Sequence, residues 1–99
     1  MNRNARLMKP LTFAALLLSA AAAHAAGNPV AGHEKVRACA ECHGLDGKGR
    51  IPLAGMQADY LEGQLRAFQS GVRREPVMNM IAKSLSAQDI ADLAAYFAA

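Results

Sequence analysis

The sequence predicts an all-α domain, a few short helices joined by two long loops. Two observations carry that prediction. Apolar residues recur at helical spacing around 60–68 and 90–97. No run alternates β-branched and polar residues as a half-buried strand would. Size and composition agree: 99 residues, 53% apolar and 19% charged, make one small domain rather than a disordered tail. Two cysteines are too few for a disulfide-dense scaffold.

Residues 1–9 carry Arg3, Arg6 and Lys9 and no acid, and 11–23 is an apolar run broken only by Thr12 and Ser19. Ala23-His24-Ala25 then has the small-x-small form of a cleavage site. A basic head, a short apolar middle and an A-x-A end make a secretory signal peptide over 1–25. The run is short for a membrane span, which needs about 20 residues. The domain proper is therefore expected over 26–99, and His24 leaves with the signal. So do the three cations. Eight of the 11 basic residues remain to face 8 acidic ones, and the formal charge of +3 disappears. No basic stripe is left to bind nucleic acid. A domain of this size is marginal by itself and calls for a disulfide, a metal or a cofactor as a staple.

The elements follow in order. Asn28-Pro29 reads as a short leader. Residues 32–40 form two turns of helix with Val36 and Cys39 on one face. Residues 44–52, with Gly44, Gly47, Gly49 and Pro52, are a loop. Lys48 lacks Walker spacing and no strand precedes it, so the glycines are no phosphate cradle; they let the loop pass close to something bulky. A helix over 59–70 places Tyr60, Leu61, Gln64, Leu65 and Phe68 on one stripe, weakened by Gly63 and stopped by Gly71. Residues 72–80 read as a second loop. Ser86 and Asp89 resemble a capping box, and Ile90, Leu93, Ala94 and Phe97 recur at i, i+3, i+4, i+7.

The chemistry lies in Cys39-Ala40-Glu41-Cys42-His43. Cys-x-x-Cys-His is the attachment signature of a c-type haem. Two thiols one turn apart add across the two vinyl groups of one porphyrin, and the next residue, His43, falls beneath the iron and ligates it. A thioredoxin-like pair wants a βαβ context, which is missing. A zinc site wants a second ligand pair. A Cys39–Cys42 disulfide closes too short a loop to stabilise much. Attachment of this kind occurs outside the cytoplasm, in agreement with the export signal.

A sixth ligand would be methionine, histidine or nothing. His33 lies on the helix of Cys39 and is badly placed to reach the opposite haem face; it reads as a solvent-facing residue. Met56 reads as core filler. Met78 and Met80, in the loop before the last helix, both remain as candidates.

With these residues in hand, the sequence resembles a class I c-type cytochrome, similar to one haem domain of the periplasmic dihaem cytochromes of the c-four type and to their single-haem relatives. The likeness runs from Gly32 to Phe97. It rests on Cys39, Cys42, His43 and Gly44, then Leu53-Ala54-Gly55, Tyr60-Leu61, Gln64-Leu65, Phe68 and Gly71, and finally Leu85-Ser86 with residues 88–97. The resemblance implies a small cytochrome c fold wrapped around one covalent haem c per chain. The family's ligand methionine stands seven residues before its Leu-Ser pair, which selects Met78 over Met80. Gly32 is then expected to let the first helix cross the last near Tyr96, and a carbonyl by Pro52 to take the hydrogen bond from the other His43 nitrogen. Met56 departs from the family, which has Gln there. Pro52-Leu53 also replaces its Pro-x-Leu, and a second haem domain is not expected.

The function implied is a periplasmic electron carrier with His43 and Met78 on the iron and no catalytic residue. Its partners would be redox-protein donors and acceptors, such as a terminal oxidase or a periplasmic dehydrogenase. The haem would be walled by Leu53, Leu61, Leu65, Leu93 and Phe97. The alternative is a haem-bearing subunit of a larger periplasmic dehydrogenase. A gas sensor or haem enzyme would need a weak or missing sixth ligand.

Overall fold

The computed structural model describes residues 26–99; the signal-peptide reading of 1–25 lies outside the described residues. Five helices follow one another: α1 (Pro29–Lys35), α2 (Arg37–His43), α3 (Ala58–Ser70), α4 (Pro76–Lys83) and α5 (Ala87–Ala98). No strand occurs among the described residues. None of these helices is long and apolar enough to cross a membrane.

Two helix starts differ from the sequence expectation for one reason. Asn28-Pro29 is not a leader: the Asn28 side chain accepts from the N–H groups of Val30 and Ala31, and Pro29 opens α1. Likewise 72–80 is not all loop. Glu75 caps the N–H groups of Val77 and Met78, Pro76 opens α4, and both Met78 and Met80 are helical. Proline at the first helical position lacks only an N–H that has no intrahelical partner, and its fixed φ suits the helix. The predicted helix over 32–40 is in fact two, hinged at the buried Val36, whose carbonyl takes the N–H of Cys39 at 2.8 Å.

Two other helix signals hold. Helix α3 stops at Gly71, and Ser86 and Asp89 form a reciprocal capping box for α5. Leu61 and Phe68 are buried as the stripe predicts, whereas Tyr60, expected on the same stripe, is 54% exposed.

Helix α5 is the spine. Helix α1 crosses it, and α3 packs against it on one side and against α4 on the other. Ile90, Ala91, Leu93, Ala94 and Phe97 are all buried, and Leu93 and Phe97 meet Val36 and Leu61 in the core. Burying a side chain such as Leu93 contributes about 2 kcal/mol. The crossing of α1 over α5 needs backbone against backbone. A Cβ on Gly32 would lie 2.1 Å from the Asp92 carbonyl oxygen, and one on Gly27 2.0 Å from that of Ala91. Only glycine permits this approach.

Asp92 is the one buried charge on that spine, at 3% exposure. Its carboxylate accepts from the Lys35 ammonium at 2.7 Å, the Asn28 N–H at 2.8 Å and the Gln88 amide at 3.0 Å. Buried charge is tolerable when it is paired and hydrogen-bonded in this way. The start of the domain is thereby tied to its last helix.

Candidate functional site

Helix α2 carries the motif. Cys39 and Cys42, three residues apart, share one helix face as half-buried free thiols. Cys39 packs against the core, and burial pushes its thiol pKa up. The Cys42 sulfur lies 3.4 Å from the Arg50 guanidinium, which donates to it. His43 is the last residue of α2 and is half-buried.

The 44–52 loop folds back on the helix that it leaves. The N–H of Gly49 reaches the His43 carbonyl at 2.8 Å, and that of Ile51 reaches Cys42 at 3.0 Å. The bulky neighbour expected of this loop is in part the motif itself: a Cβ on Gly49 would lie 2.7 Å from the His43 carbonyl carbon and 2.9 Å from the Cys42 carbonyl oxygen. The turn ends by presenting the Ile51 carbonyl to the His43 ring, with Nδ1 at 2.8 Å. This is the carbonyl by Pro52 anticipated from sequence. A proline disfavours the helical region for the residue before it, which suits an Ile51 carbonyl turned to the ring rather than to a helical N–H. A carbonyl only accepts, so Nδ1 carries the hydrogen of this bond, and in a neutral imidazole that leaves the lone pair on Nε2. The edge of Phe97 bounds the ring on one side, with centroids 6.4 Å apart.

Met78 lies apart from these three, on α4, whose packing is against α3. It is half-buried, whereas Met80 is 68% exposed. Two residues apart on a helix, they point about 160° apart. Met56, expected in the core, is 39% exposed, because it sits in the connection before α3 rather than on its buried face. His33 is exposed as expected and lies beside the Tyr96 ring at 5.4 Å. Of the apolar wall, Leu61, Leu93 and Phe97 are buried, and Leu53 and Leu65 half-buried. Sequence reasoning missed Arg50, Asp92 and Asn79; their contacts span turns and helices and leave no local pattern.

The donor set fits a covalent haem of the c type. Two free thiols share a helix face, an imidazole held through Nδ1 offers Nε2 to a metal, and a thioether stands on a separate helix.

Comparison with known proteins agrees. The family model described as Cytochrome c matches residues 25–99. Cytochrome c-554(548) of Halomonas halodenitrificans is 42% identical over 79 residues, covering 73% of this chain and 95% of its own. The thiosulfate dehydrogenase electron acceptor of Thiomonas intermedia is 38% identical over 97 residues, 93% of this chain and 42% of its own. Among solved structures, reduced cytochrome c4 from Pseudomonas stutzeri superposes with a TM-score of 0.70 at 36% identity. That match covers 75% of this chain and 46% of the other, so the chain spans less than half of such longer relatives.

Proposed function

The chain belongs to the cytochrome c family of electron-transfer proteins, which carry covalently bound haem c, and we propose that it is an exported single-haem carrier with His43 and Met78 as the axial ligands. In this reading residues 1–25 are a signal peptide, residues 26–99 are the haem domain, and the protein works in the periplasm. Cys39 and Cys42 hold the haem by thioether bonds. When bound, the haem supplies the iron couple that takes up and releases one electron.

The observation that carries the reading is the bond from His43 Nδ1 to the Ile51 carbonyl. It fixes the tautomer, orients the ring and makes Nε2 the more basic donor. Met78, rather than the solvent-exposed Met80, is the methionine whose position suits an interior ligand. A thioether on the iron favours the reduced state and raises the potential. Leu61, Leu93 and Phe97 keep water from the interior. Leu45 and Ile51, exposed beside the motif, offer partners a small apolar contact. The electron-acceptor relative supports a periplasmic dehydrogenase as the donor, and in a permanent complex the same site would serve as that enzyme's haem-bearing subunit.

The test is the pair Met78→Ala and Met80→Ala in the exported holoprotein. Met78→Ala should lose the far-red methionine-to-iron absorption of the oxidised form and bind carbon monoxide when reduced. Met80→Ala should do neither. The opposite pattern overturns the assignment.

A further inference from the structure

Asn79 directly follows Met78 on α4, and its whole side chain is engaged by backbone. Nδ2 donates to the carbonyls of Phe68 and Arg73, both at 2.8 Å, and Oδ1 accepts the Glu75 N–H at 2.8 Å. Two carbonyls and one N–H admit only this orientation of the amide. The Glu75 carboxylate in turn accepts the N–H of Val77 at 3.1 Å and of Met78 at 3.3 Å. One amide thus joins the last turn of α3, the connection after it and the first turn of α4. At the other end of α4, Gln69 reaches across from α3 to the carbonyls of Ala82 at 2.9 Å and Leu85 at 2.8 Å.

Apolar burial alone would hold this helix weakly. Ala82 is its one buried residue, and Val77 and Met80 face solvent. The rotational setting of α4 therefore depends on the amides at its two ends. That setting matters because a slip of one residue turns a helix by about 100°, enough to carry a thioether off its target.

We propose that Asn79 is a positioning residue: by pinning α4 to the end of α3 it holds the Met78 sulfur on the iron. The proposal rests on the reading of Met78 as the axial ligand. Asn79 touches neither iron nor haem in this scheme and acts through the Glu75 cap and the register of α4.

The experiment titrates imidazole alone into the oxidised holoprotein, where it competes with the methionine. Asn79→Ala should retain the covalent haem and the helical circular dichroism. It should bind imidazole at about a tenfold lower concentration, the factor for roughly one net hydrogen bond of free energy. Gln88→Ala, which removes side-chain bonds from α5 and the domain start, should leave that affinity unchanged. An unchanged affinity in Asn79→Ala, or an equal gain in Gln88→Ala, overturns the proposal. If Asn79→Ala does not accumulate, Asn79→Asp carries the test, because it keeps the acceptor for the Glu75 N–H and removes the donor to the Phe68 and Arg73 carbonyls. A tenfold gain there supports the proposal and no gain refutes it. Met78→Ala separates the two layers. Retention of the far-red band in that variant refutes the ligand reading itself. Loss of the band with an unaltered Asn79→Ala refutes the positioning role alone.

Discussion

His43 Nδ1 lies 2.8 Å from the carbonyl oxygen of Ile51, eight residues further along the chain. The bond closes the motif helix and its loop into one unit, so the orientation of the His43 ring is a property of backbone rather than of a neighbouring side chain. Side-chain exchange at Ile51 leaves it in place.

It can be reached through Pro52. Pro52→Ala releases the restriction that Pro52 sets on Ile51 and weakens the bond to Nδ1. A less basic imidazole stabilises the oxidised iron less, so the midpoint potential should rise, on the order of tens of millivolts. Spectroelectrochemical titration of the two holoproteins checks this. A lower potential, or none of this shift, would contradict the role given to the carbonyl.

The α1–α5 crossing has no room for a side chain at Gly32. Gly32→Ala would press its Cβ on the Asp92 carbonyl, and overpacking of this kind costs about 1–3 kcal/mol or more. Denaturant unfolding followed by circular dichroism should show the loss. Equal stability would mean that the helices separate more easily than the geometry implies.

Asp92 gives the domain a defined response to acid. The Lys35 ammonium first, then the Gln88 amide and the Asn28 N–H, hold its carboxyl at about 2 against an ordinary 3.8. The unfolded chain therefore takes up this proton at a higher pH than the folded one. Its contribution is present above pH 3.8 and is lost as the pH falls toward 2. Asp92→Asn should be less stable at neutral pH and should show a flatter decline between about pH 4 and pH 2. Asp89, also lowered by Lys35 and then by Ser86, leaves some slope in the variant. Denaturant midpoints across that range make the comparison, and an unchanged slope would contradict it.

Leu93 occupies the centre of the core at 2% exposure. Leu93→Ala should cost about 2–5 kcal/mol, the range for a buried leucine that leaves a cavity. A loss well under 1 kcal/mol in the same denaturant assay would show that the interior closes around the gap.

What the sequence revealed and what it concealed divide along the range of the interactions. The Cys39–His43 motif, the Ser86–Asp89 box and the stop at Gly71 are local patterns, and each is visible within five residues. Pro29 and Pro76 look like punctuation in the sequence because a proline breaks a helix anywhere but at its start. Their N-caps, Asn28 and Glu75, decide the matter, and the glutamate is an uncommon cap. Gly27 and the burial of Asp92 depend on a contact between the two ends of the domain. The bonds of Gln69 and Asn79 link side chain to backbone across a turn, with no repeating period to betray them.

The central claim, a closed site with His43 and Met78 on one iron, meets its most direct test in the absorption spectrum of the purified holoprotein, recorded reduced with and without carbon monoxide. The account predicts covalent haem, a reduced spectrum that carbon monoxide does not alter, and a far-red methionine band on oxidation. A reduced form that binds carbon monoxide readily would contradict it and make the haem an open site.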